Sequence, residues 1–323
     1  MRMASAFEES CILFTASDLG IFGKLSELGK TDSAQLARSL GLNERGTRLL
    51  LDACVACGLL QKEGRLYSNS PDAAAFLVPS CPGDLSGALR YNRDVYPAWG
   101  KLSELARTGA PVEKPELHLG ENEARTRTFV LSSHGKALAM VPSALPLLNL
   151  SDRLQLLDIG GGPGTFSVSI AKANPKIHCT VLDLPPIAAI AAELIAQQSQ
   201  TERVHLLPGD YHTTPFPPGN DVVLFFGVLH QESAKTIRDL FSRAYAAMMP
   251  GGLLYVMDMM TDESRTNPPF SALFAVNMAL TKEDGWVFSD VELREWINEA
   301  GFRDFSVRPL PPPMPHWLAV AKK

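Results

Sequence analysis

A cluster of glycines follows an apolar strand that ends in an acidic residue, a pattern typical of a nucleotide-binding turn. The predicted strand runs from Leu154 to Asp158, and the turn reads Gly160-Gly161-Gly162-Pro163-Gly164. Glycine tolerates positive φ and lets the backbone approach a ligand closely. In an open parallel sheet such a turn lies at the carboxyl ends of the strands, where ligands bind. The spacing does not match the dinucleotide pattern G-x-G-x-x-G, and the phosphate-binding pattern G-x-x-x-x-G-K-[ST] does not occur.

Two further acidic residues stand where the next predicted strands end. Asp183 closes an apolar run, 25 residues after Asp158, and is suited to bind a ribose diol. After the third run come Asp210, which could accept a hydrogen bond from an adenine amino group, and Tyr211, which could pack on the base. Acids at three successive strand ends, with few basic residues among them, favour a cationic nucleoside over a pyrophosphate as the ligand.

The elements that must position these residues change character near Ser151. Before it helical patterns dominate, and after it short apolar runs alternate with helices, which predicts an α/β sheet of parallel strands. The N-terminal residues show helix, short turn, helix and a hairpin around Gly64, which together describe a winged helix. We therefore expect three segments, namely a winged-helix domain over 1–82, a helical segment over 83–150 and a ligand-binding α/β domain over 151–323.

A winged helix often binds DNA, but the charges of this one disfavour that function. Residues 1–80 carry one more acidic than basic side chain, whereas phosphate binding requires a positive surface. The helix that Asn43 can cap would be the DNA-recognition helix, but it is apolar, with Leu49 and Leu50 among its residues. An apolar helix at this place suits packing or dimerisation. Cys54 and Cys57 lie in the same helix without a second ligand pair at zinc spacing, so we predict both as small core residues.

Composition limits the remaining classes of protein. The 323 residues carry a net charge of −5 and are 46% hydrophobic, which excludes wholesale disorder and disfavours a nucleic-acid or membrane-surface protein. The longest apolar run, 222–229, is too short to span a membrane. Glu8 and Glu9 stand where a signal peptide needs apolar residues, and five cysteines do not form a disulfide framework, so we expect a reduced, cytoplasmic protein. The spacing of His, Asp and Glu predicts no metal site.

Together these motifs resemble those of the S-adenosylmethionine-dependent small-molecule O-methyltransferases, the family of caffeate, acetylserotonin and bacterial polyketide enzymes. The resemblance covers nearly the whole chain and rests on five segments: 156–164, 182–185, 209–211, 228–230 and 249–252. It implies a Rossmann-like α/β fold with the seven-stranded sheet of class I methyltransferases, behind an N-terminal, mainly helical winged-helix dimerisation domain. It also implies S-adenosylmethionine (SAM) as cofactor, a small-molecule acceptor and a homodimer.

The resemblance further implies roles for individual residues. Those implied to contact the cofactor are Asp158, Gly160, Gly162, Asp183, Leu184, Asp210, Tyr211 and Phe226. Phe226 stands four residues before the motif histidine, at a position that often contacts the cofactor in relatives, but it offers no charge to a carboxylate. Those implied to line the acceptor pocket are Tyr91, Asn92, Phe129, His134, Asn277 and Met278.

By the same resemblance His230 is the general base, and Asp258 is the acid that orients its imidazole. A phenol, with a pKa of about 10, needs a base poised near neutrality as it attacks, and imidazole meets that need. Plant members carry Asp and Trp after this histidine, where the present chain has Gln231 and Glu232. A second acid that the family places near position 287 is missing, and Asp284 could take its place.

Other functions stay open at this stage. Within the same fold, the acceptor atom could be carbon or nitrogen, or the protein could bind the cofactor without transferring a methyl group. From another class, the chain could be a cofactor-responsive regulator that binds DNA through the winged helix, although the acidic N-terminal segment disfavours this.

Overall fold

The computed structural model describes residues 2–79, 81, 83–113 and 122–323, which divide into two compact units, Met1–Asp94 and Val95–Lys323. The bounds of the three segments expected from the sequence stay predictions. The elements of the first unit are α1 (Arg2–Asp18), α2 (Ile21–Leu28), β1 (Thr31–Asp32), α3 (Ser33–Leu40), α4 (Glu44–Ala56), β2 (Leu60–Glu63), β3 (Leu66–Asn69), α5 (Pro71–Phe76) and the start of α6 (Ser86–Trp99).

The first unit places a small sheet, in the strand order β1-β3-β2, beside its helices. Polar side chains start the helices that the sequence predicts: Asp32 accepts a hydrogen bond from the backbone N–H of Gln35, and Asn43 caps α4 through Gly46. Cys54 is buried in the core of this unit. Cys57 is the C-cap residue of α4 and is exposed, so its prediction as a core residue is wrong.

The second unit alternates strands with helices. Its elements are α7 (Leu102–Thr108), α8 (Glu123–Ala144), β4 (Gln155–Ile159), α9 (Thr165–Ala173), β5 (His178–Asp183), α10 (Pro185–Gln197), β6 (Val204–Pro208), β7 (Asn220–Phe226), α11 (Ala234–Ala247), β8 (Met248–Asp258), α12 (Pro269–Thr281), α13 (Asp290–Glu299), β9 (Arg303–Pro309) and β10 (Trp317–Lys322).

These strands form a seven-stranded sheet in the order β6-β5-β4-β7-β8-β10-β9. The first five strands of this order are parallel, and β10 pairs antiparallel with both β8 and β9. Apolar clusters cover both faces of the sheet, which explains why its central strands are almost continuously apolar. The Rossmann-like, seven-stranded fold expected from the resemblance is therefore confirmed.

The topology brings the ends of four strands to one edge. Asp183, Phe226 and Asp258 are the last residues of β5, β7 and β8, and Asp158 stands one residue before the end of β4. Because these strands are parallel neighbours, their carboxyl ends open onto the same side of the sheet. The sheet therefore holds the predicted chemistry at a single edge.

Candidate active site

The glycine-rich turn that joins β4 to α9 requires glycine at several positions. Gly160, Gly162 and Gly164 have φ values of 65°, 54° and 69°, a region that costs other residues energy. A Cβ on Gly160 would also lie 2.7 Å from Cγ2 of Val228. A Cβ on Gly162 would meet no atom within 4 Å. Gly160 is thus restricted by packing, whereas Gly162 borders open space that a ligand can enter.

Two buried carboxylates flank this turn. Asp158 is 1% exposed; its Oδ2 accepts a hydrogen bond of 2.7 Å from Ser167, and its Oδ1 is buried without a partner in the described structure. Asp183 accepts hydrogen bonds from the backbone N–H groups of Gly162 at 2.7 Å and Leu184 at 2.8 Å. Burial raises the pKa of both carboxyls to about 6.

These carboxylates fit the cationic nucleoside that the sequence predicts. Within residues 122–323, no Lys or Arg forms an ion pair with Asp158 or Asp183, so their charge is not compensated by the chain itself. The buried Oδ1 of Asp158 lacks the hydrogen bond that a buried carboxylate oxygen needs. A ligand with a positive charge and several hydrogen-bond donors supplies what this site lacks. SAM is such a ligand.

The loop after β6 is tied to the turn that follows β7. Tyr211 is buried, its ring approaches Gly160, and its hydroxyl donates a hydrogen bond of 2.5 Å to Glu232. Asp210 accepts hydrogen bonds from the backbone N–H of His212 at 2.9 Å and from the ring of His212 at 2.7 Å. The sequence placed Asp210 and Tyr211 at an adenine site. The structure places both just after β6, at the carboxyl edge of the sheet, where they are hydrogen-bonded to Glu232 and His212; their contact with adenine stays a prediction.

His230 and Asp258 lie in direct contact. His230 is in a 3₁₀ turn, Leu229–Gln231, and its Nδ1 lies 2.7 Å from Oδ1 of Asp258. The Asp258 carboxylate is buried and also accepts hydrogen bonds from the backbone N–H groups of Leu229 and Met259, at 3.1 and 2.8 Å. These contacts fix the carboxylate as a hydrogen-bond acceptor for Nδ1–H. The imidazole is therefore oriented with Nδ1 towards Asp258 and Nε2 on the opposite side of the ring.

Helix α12 lies against the His230 turn. The ring of Phe274 packs edge-to-face on the imidazole, with centroids 5.2 Å apart. Asn277 and Met278, three and four residues later, occupy the same helix face and are both buried. The side-chain oxygen of Asn277 accepts a hydrogen bond of 3.0 Å from the indole of Trp99. The sequence missed Phe274, although its spacing from Asn277 and Met278 could have revealed it.

Helix α8 carries two of the residues expected in the acceptor pocket, Phe129 and His134. Nδ1 of His134 lies 2.7 Å from Oγ1 of Thr165, at the start of α9, and burial lowers the pKa of His134. Phe129 packs against the buried cluster of Val130, Ile187 and Ile190, as does Leu184, which the sequence assigns to the cofactor. The structure thus brings His134 and Phe129 to the cofactor side of the sheet edge. Neither has a hydrogen bond or ring contact with His230 in the described structure.

The remaining expected pocket residues lie on α6, in the first unit. The side chain of Asn92 is exposed, and the side chain of Tyr91 lies outside the described residues. Both roles stay predictions.

Two departures from the family pattern have structural consequences. Phe226 packs edge-to-face on Phe166 of α9, with centroids 5.0 Å apart, and so contributes an apolar contact next to the glycine-rich turn. The carboxylate of Asp284 is exposed and has no hydrogen bond to His230 in the range 122–323. Asp284 therefore does not replace the missing second acid, and Asp258 is the carboxylate bonded to the imidazole.

Sequence reasoning also overlooked a second histidine near this pair. Burial lowers the pKa of His316 to about 4, with smaller influences from Asp258, His230 and Lys136 that show these groups lie nearby. Its Nδ1 is buried and has no hydrogen-bond partner among the described residues. His316 precedes Trp317, which pairs with Asp258 across the sheet. No motif spacing connects residues 230 and 316, so only the pairing of β10 with β8 could reveal this proximity.

No group of three or more His, Cys, Asp or Glu side chains in the described ranges is arranged to hold a metal ion. None of the helices that the structure describes combines the length and apolarity that crossing a bilayer requires.

Comparisons with known proteins agree with this geometry. Residues 1–79 match the O-methyltransferase dimerisation domain, and residues 117–303 match the O-methyltransferase domain. The structure of human N-acetylserotonin methyltransferase in complex with SAM superposes with a TM-score of 0.89 at 27% identity, covering 100% of this chain and 96% of that one.

Relatives from Streptomyces match over most of their length. A 3-hydroxy-5-methyl-1-naphthoate 3-O-methyltransferase of Streptomyces sahachiroi is 29% identical, over 93% of this chain and 87% of its own. The tetracenomycin polyketide synthesis 8-O-methyl transferase TcmO of Streptomyces glaucescens is 30% identical, over 100% and 96%. The N,N-dimethyltransferase OxyT of Streptomyces rimosus is 31% identical, over 100% and 95%.

These matches do not favour the DNA-binding alternative, and they confirm the family and the cofactor expected from the sequence. A seven-stranded sheet with uncompensated carboxylates at its carboxyl edge is what a SAM site requires. The chain belongs to the O-methyltransferase family and is a SAM-dependent methyltransferase with an N-terminal dimerisation domain.

Proposed function

We propose that this enzyme methylates a phenolic hydroxyl on a fused-ring aromatic acceptor, with His230 as the general base. The observation that carries the proposal is the 2.7 Å contact between His230 Nδ1 and the buried carboxylate of Asp258. That contact fixes one tautomer and presents Nε2 to the acceptor. It also stabilises the imidazolium that forms when Nε2 takes a proton.

In this mechanism SAM supplies a methyl group on a sulfonium, which is already an excellent leaving group. The chain's own task is therefore to orient the acceptor and to remove its proton as the hydroxyl oxygen attacks. The hydroxyl proton passes to Nε2 of His230, and Asp258 keeps its charge throughout. Phe274 packs on the imidazole and helps to exclude water from it.

The cofactor is proposed to lie along the carboxyl edge of β4, β5 and β6. Asp158 and Asp183 supply buried carboxylates, and Gly162 leaves room for the ligand beside the turn. Further proposed contacts come from Gly160, Leu184, Asp210, Tyr211 and Phe226. Because Phe226 has no charge, the backbone of the glycine-rich turn is the proposed partner of the cofactor's carboxylate.

The acceptor class rests on the aromatic and apolar face of α12 and on the relatives. The ring of Phe274 packs beside the base, and Met278 is buried one turn further along the same helix, so the proposed surroundings of the base are aromatic and apolar, which suits an aromatic acceptor. The two Streptomyces O-methyltransferases are named for a naphthoate and for tetracenomycin polyketide synthesis. Phe129, His134 and Asn277 are proposed to complete the pocket.

A nitrogen acceptor is the second candidate, because OxyT is named an N,N-dimethyltransferase and is 31% identical. The orienting Asp258 favours oxygen, since a phenol must lose its proton during attack whereas a neutral amine attacks with its lone pair.

We further propose that the enzyme is a homodimer. Residues 1–79 match a dimerisation domain, and α1 exposes apolar side chains, with Phe7 53% exposed. Light scattering after size exclusion should give twice the mass of one chain, and a monomer at micromolar concentration would contradict the proposal.

The function is tested by incubating the protein with SAM and a panel of acceptors, followed by mass spectrometry. The panel contains hydroxynaphthoates, N-acetylserotonin and an aminonaphthalene. Methylation of a hydroxyl is expected, with the rate reduced about 10²- to 10⁴-fold in His230→Ala. The affinity of that variant for S-adenosylhomocysteine (SAH), measured by calorimetry, should stay within about three-fold of wild type. Methylation confined to the amine, or a wild-type rate in His230→Ala, would overturn the proposal.

A further inference from the structure

Glu232 is a buried carboxylate that none of the roles described so far uses. It is 6% exposed and stands two residues after His230. A charged side chain is buried at a substantial cost unless it is fully hydrogen-bonded. The contacts that offset this cost therefore indicate what the side chain does.

The two side-chain hydrogen bonds of Glu232 join the loop after β6 to the turn after β7. Its Oε1 accepts the 2.5 Å hydrogen bond from the Tyr211 hydroxyl, and its Oε2 lies 2.9 Å from Nε2 of His212. Gln231 adds a parallel link, because its amide donates a hydrogen bond of 2.9 Å to the Tyr211 hydroxyl. The loop after β6 is thus held to the turn after β7 by three side-chain hydrogen bonds.

The same turn is anchored on its other side. The backbone carbonyl of Glu232 accepts a hydrogen bond of 2.7 Å from the Trp286 indole, and the backbone N–H of Trp286 donates one of 2.9 Å to the carbonyl of His230. A displacement at Glu232 therefore reaches the backbone that carries the imidazole. The Tyr211 ring, at the other end of the network, approaches the glycine-rich turn at Gly160.

The charges around this network make its bonds strong. Burial and the Glu232 carboxylate keep the pKa of the Tyr211 hydroxyl well above its usual value, so it remains a donor. Burial lowers the pKa of His212, but hydrogen bonds to Glu232 and Asp210 outweigh this and raise it overall. Lys282 lies close enough for Glu232 to influence its pKa. Hydrogen bonds that involve a charged group are about twice as strong as neutral ones.

We propose that Glu232 is a positioning residue that couples occupancy of the cofactor site to the orientation of His230. This inference rests on the proposed role of His230 as base. A ligand that orders Tyr211 and its loop also orders Glu232, and through the backbone of the turn it orders the imidazole. Filling the cofactor site therefore stabilises the arrangement in which the base is correctly placed, which favours binding of the cofactor before the acceptor.

The test separates binding from turnover. We expect Glu232→Ala to weaken SAH at least ten-fold by calorimetry and to lower kcat at saturating SAM at least ten-fold. Glu232→Gln should recover both to within about three-fold of wild type, because its amide can accept from Tyr211 and donate to a neutral His212. The control is Glu299→Ala, which removes an exposed carboxylate bonded to Arg238 at 2.7 Å and should change neither quantity.

Three results would overturn the coupling. One is a kcat of Glu232→Ala that saturating SAM restores to wild type, and another is a reduced kcat with unchanged SAH affinity. The third is a Glu232→Gln variant as impaired as Glu232→Ala. If Glu232→Ala does not fold, His212→Ala, at a position 45% exposed, should show the same joint loss of SAH affinity and kcat at smaller size. His230→Ala is assayed alongside, because unimpaired turnover there refutes the base itself, whereas SAH affinities report on Glu232 independently.

Discussion

Replacing Asp158 with Asn should make the ligand-free protein more stable above neutrality while weakening its cofactor site. Burial raises the pKa of Asp158 from 3.8 to about 6, so the folded state disfavours the ionised carboxylate. Since one pH unit corresponds to about 1.4 kcal/mol, the ionised side chain costs the native state ~3 kcal/mol at pH values above 6. The wild-type protein therefore gains stability as the pH falls through 6, because Asp158 becomes protonated in the folded state. The gain ends near pH 3.8, where Asp158 becomes protonated in the unfolded chain as well.

The variant cannot recover the whole of this cost. The introduced asparagine side chain would keep the hydrogen bond from Ser167, but its amide would replace a buried oxygen that has no partner in the described structure. An unpaired buried donor costs about 1–3 kcal/mol at any pH. That cost cancels when two pH values are compared, so the informative quantity is the change with pH. From the two pKa values, the free energy of unfolding of the variant minus that of wild type should rise by about 2 kcal/mol from pH 4.5 to pH 7.5.

Urea unfolding of both proteins at the two pH values, without ligand, measures this difference. The comparison requires two-state unfolding, and coincident transitions by fluorescence and circular dichroism are the criterion for it. Asp262→Asn is the control: a hydrogen bond from Ser264 lowers the pKa of Asp262 below 3.8, so this carboxyl is largely ionised in both the folded and the unfolded chain from pH 4.5 to 7.5, and the stability change in its variant should hardly vary with pH. A stability difference for Asp158→Asn that does not vary with pH would refute the reasoning. The same variant should bind SAH at least ten-fold more weakly.

Three further outcomes are expected. Asp183→Ala should weaken SAM and SAH at least ten-fold by calorimetry, because it removes a buried carboxylate that also anchors the backbone of Gly162; unchanged affinity would contradict its role. Gly162→Ala should lower stability by only about 1 kcal/mol yet weaken SAH at least ten-fold, while Gly160→Ala, whose Cβ would meet Val228 at 2.7 Å, should lower the unfolding midpoint further. The imidazole of His316, whose pKa burial lowers to about 4, should show no NMR titration between pH 5.5 and 8; a midpoint near 6.5 would mean that it is solvated.

The sequence predicted the elements that local patterns control. A strand ending in Asp158, a turn rich in glycine and an apolar helix after it follow from residue spacing alone. The parallel order of the strands then places Asp158, Asp183 and Asp258 at one edge, as the structure shows. The sheet and its cofactor edge were therefore predictable without coordinates.

Contacts between distant segments were not predictable in the same way. The bonds of Glu232 to Tyr211 and His212 join two loops on non-adjacent strands, β6 and β7, and depend on how far each loop extends. The approach of His316 to the His230–Asp258 pair depends on β10 entering the sheet beside β8. His134 lies beside Thr165 because α8 packs on α9, and no spacing rule connects them. Side-chain networks of this kind require the tertiary structure.

The most direct test of the central claim compares wild type with His230→Ala on phenolic acceptors of graded acidity, at saturating SAM and pH 7.5. A base is needed for an acceptor whose pKa is about 10 and is not needed for one that is already ionised. The loss of kcat in His230→Ala should therefore be about 10²- to 10⁴-fold with the weakly acidic acceptor and should shrink towards unity with the ionised one. An equal loss across the series would contradict general-base catalysis by His230 and leave it only a role in shaping the pocket.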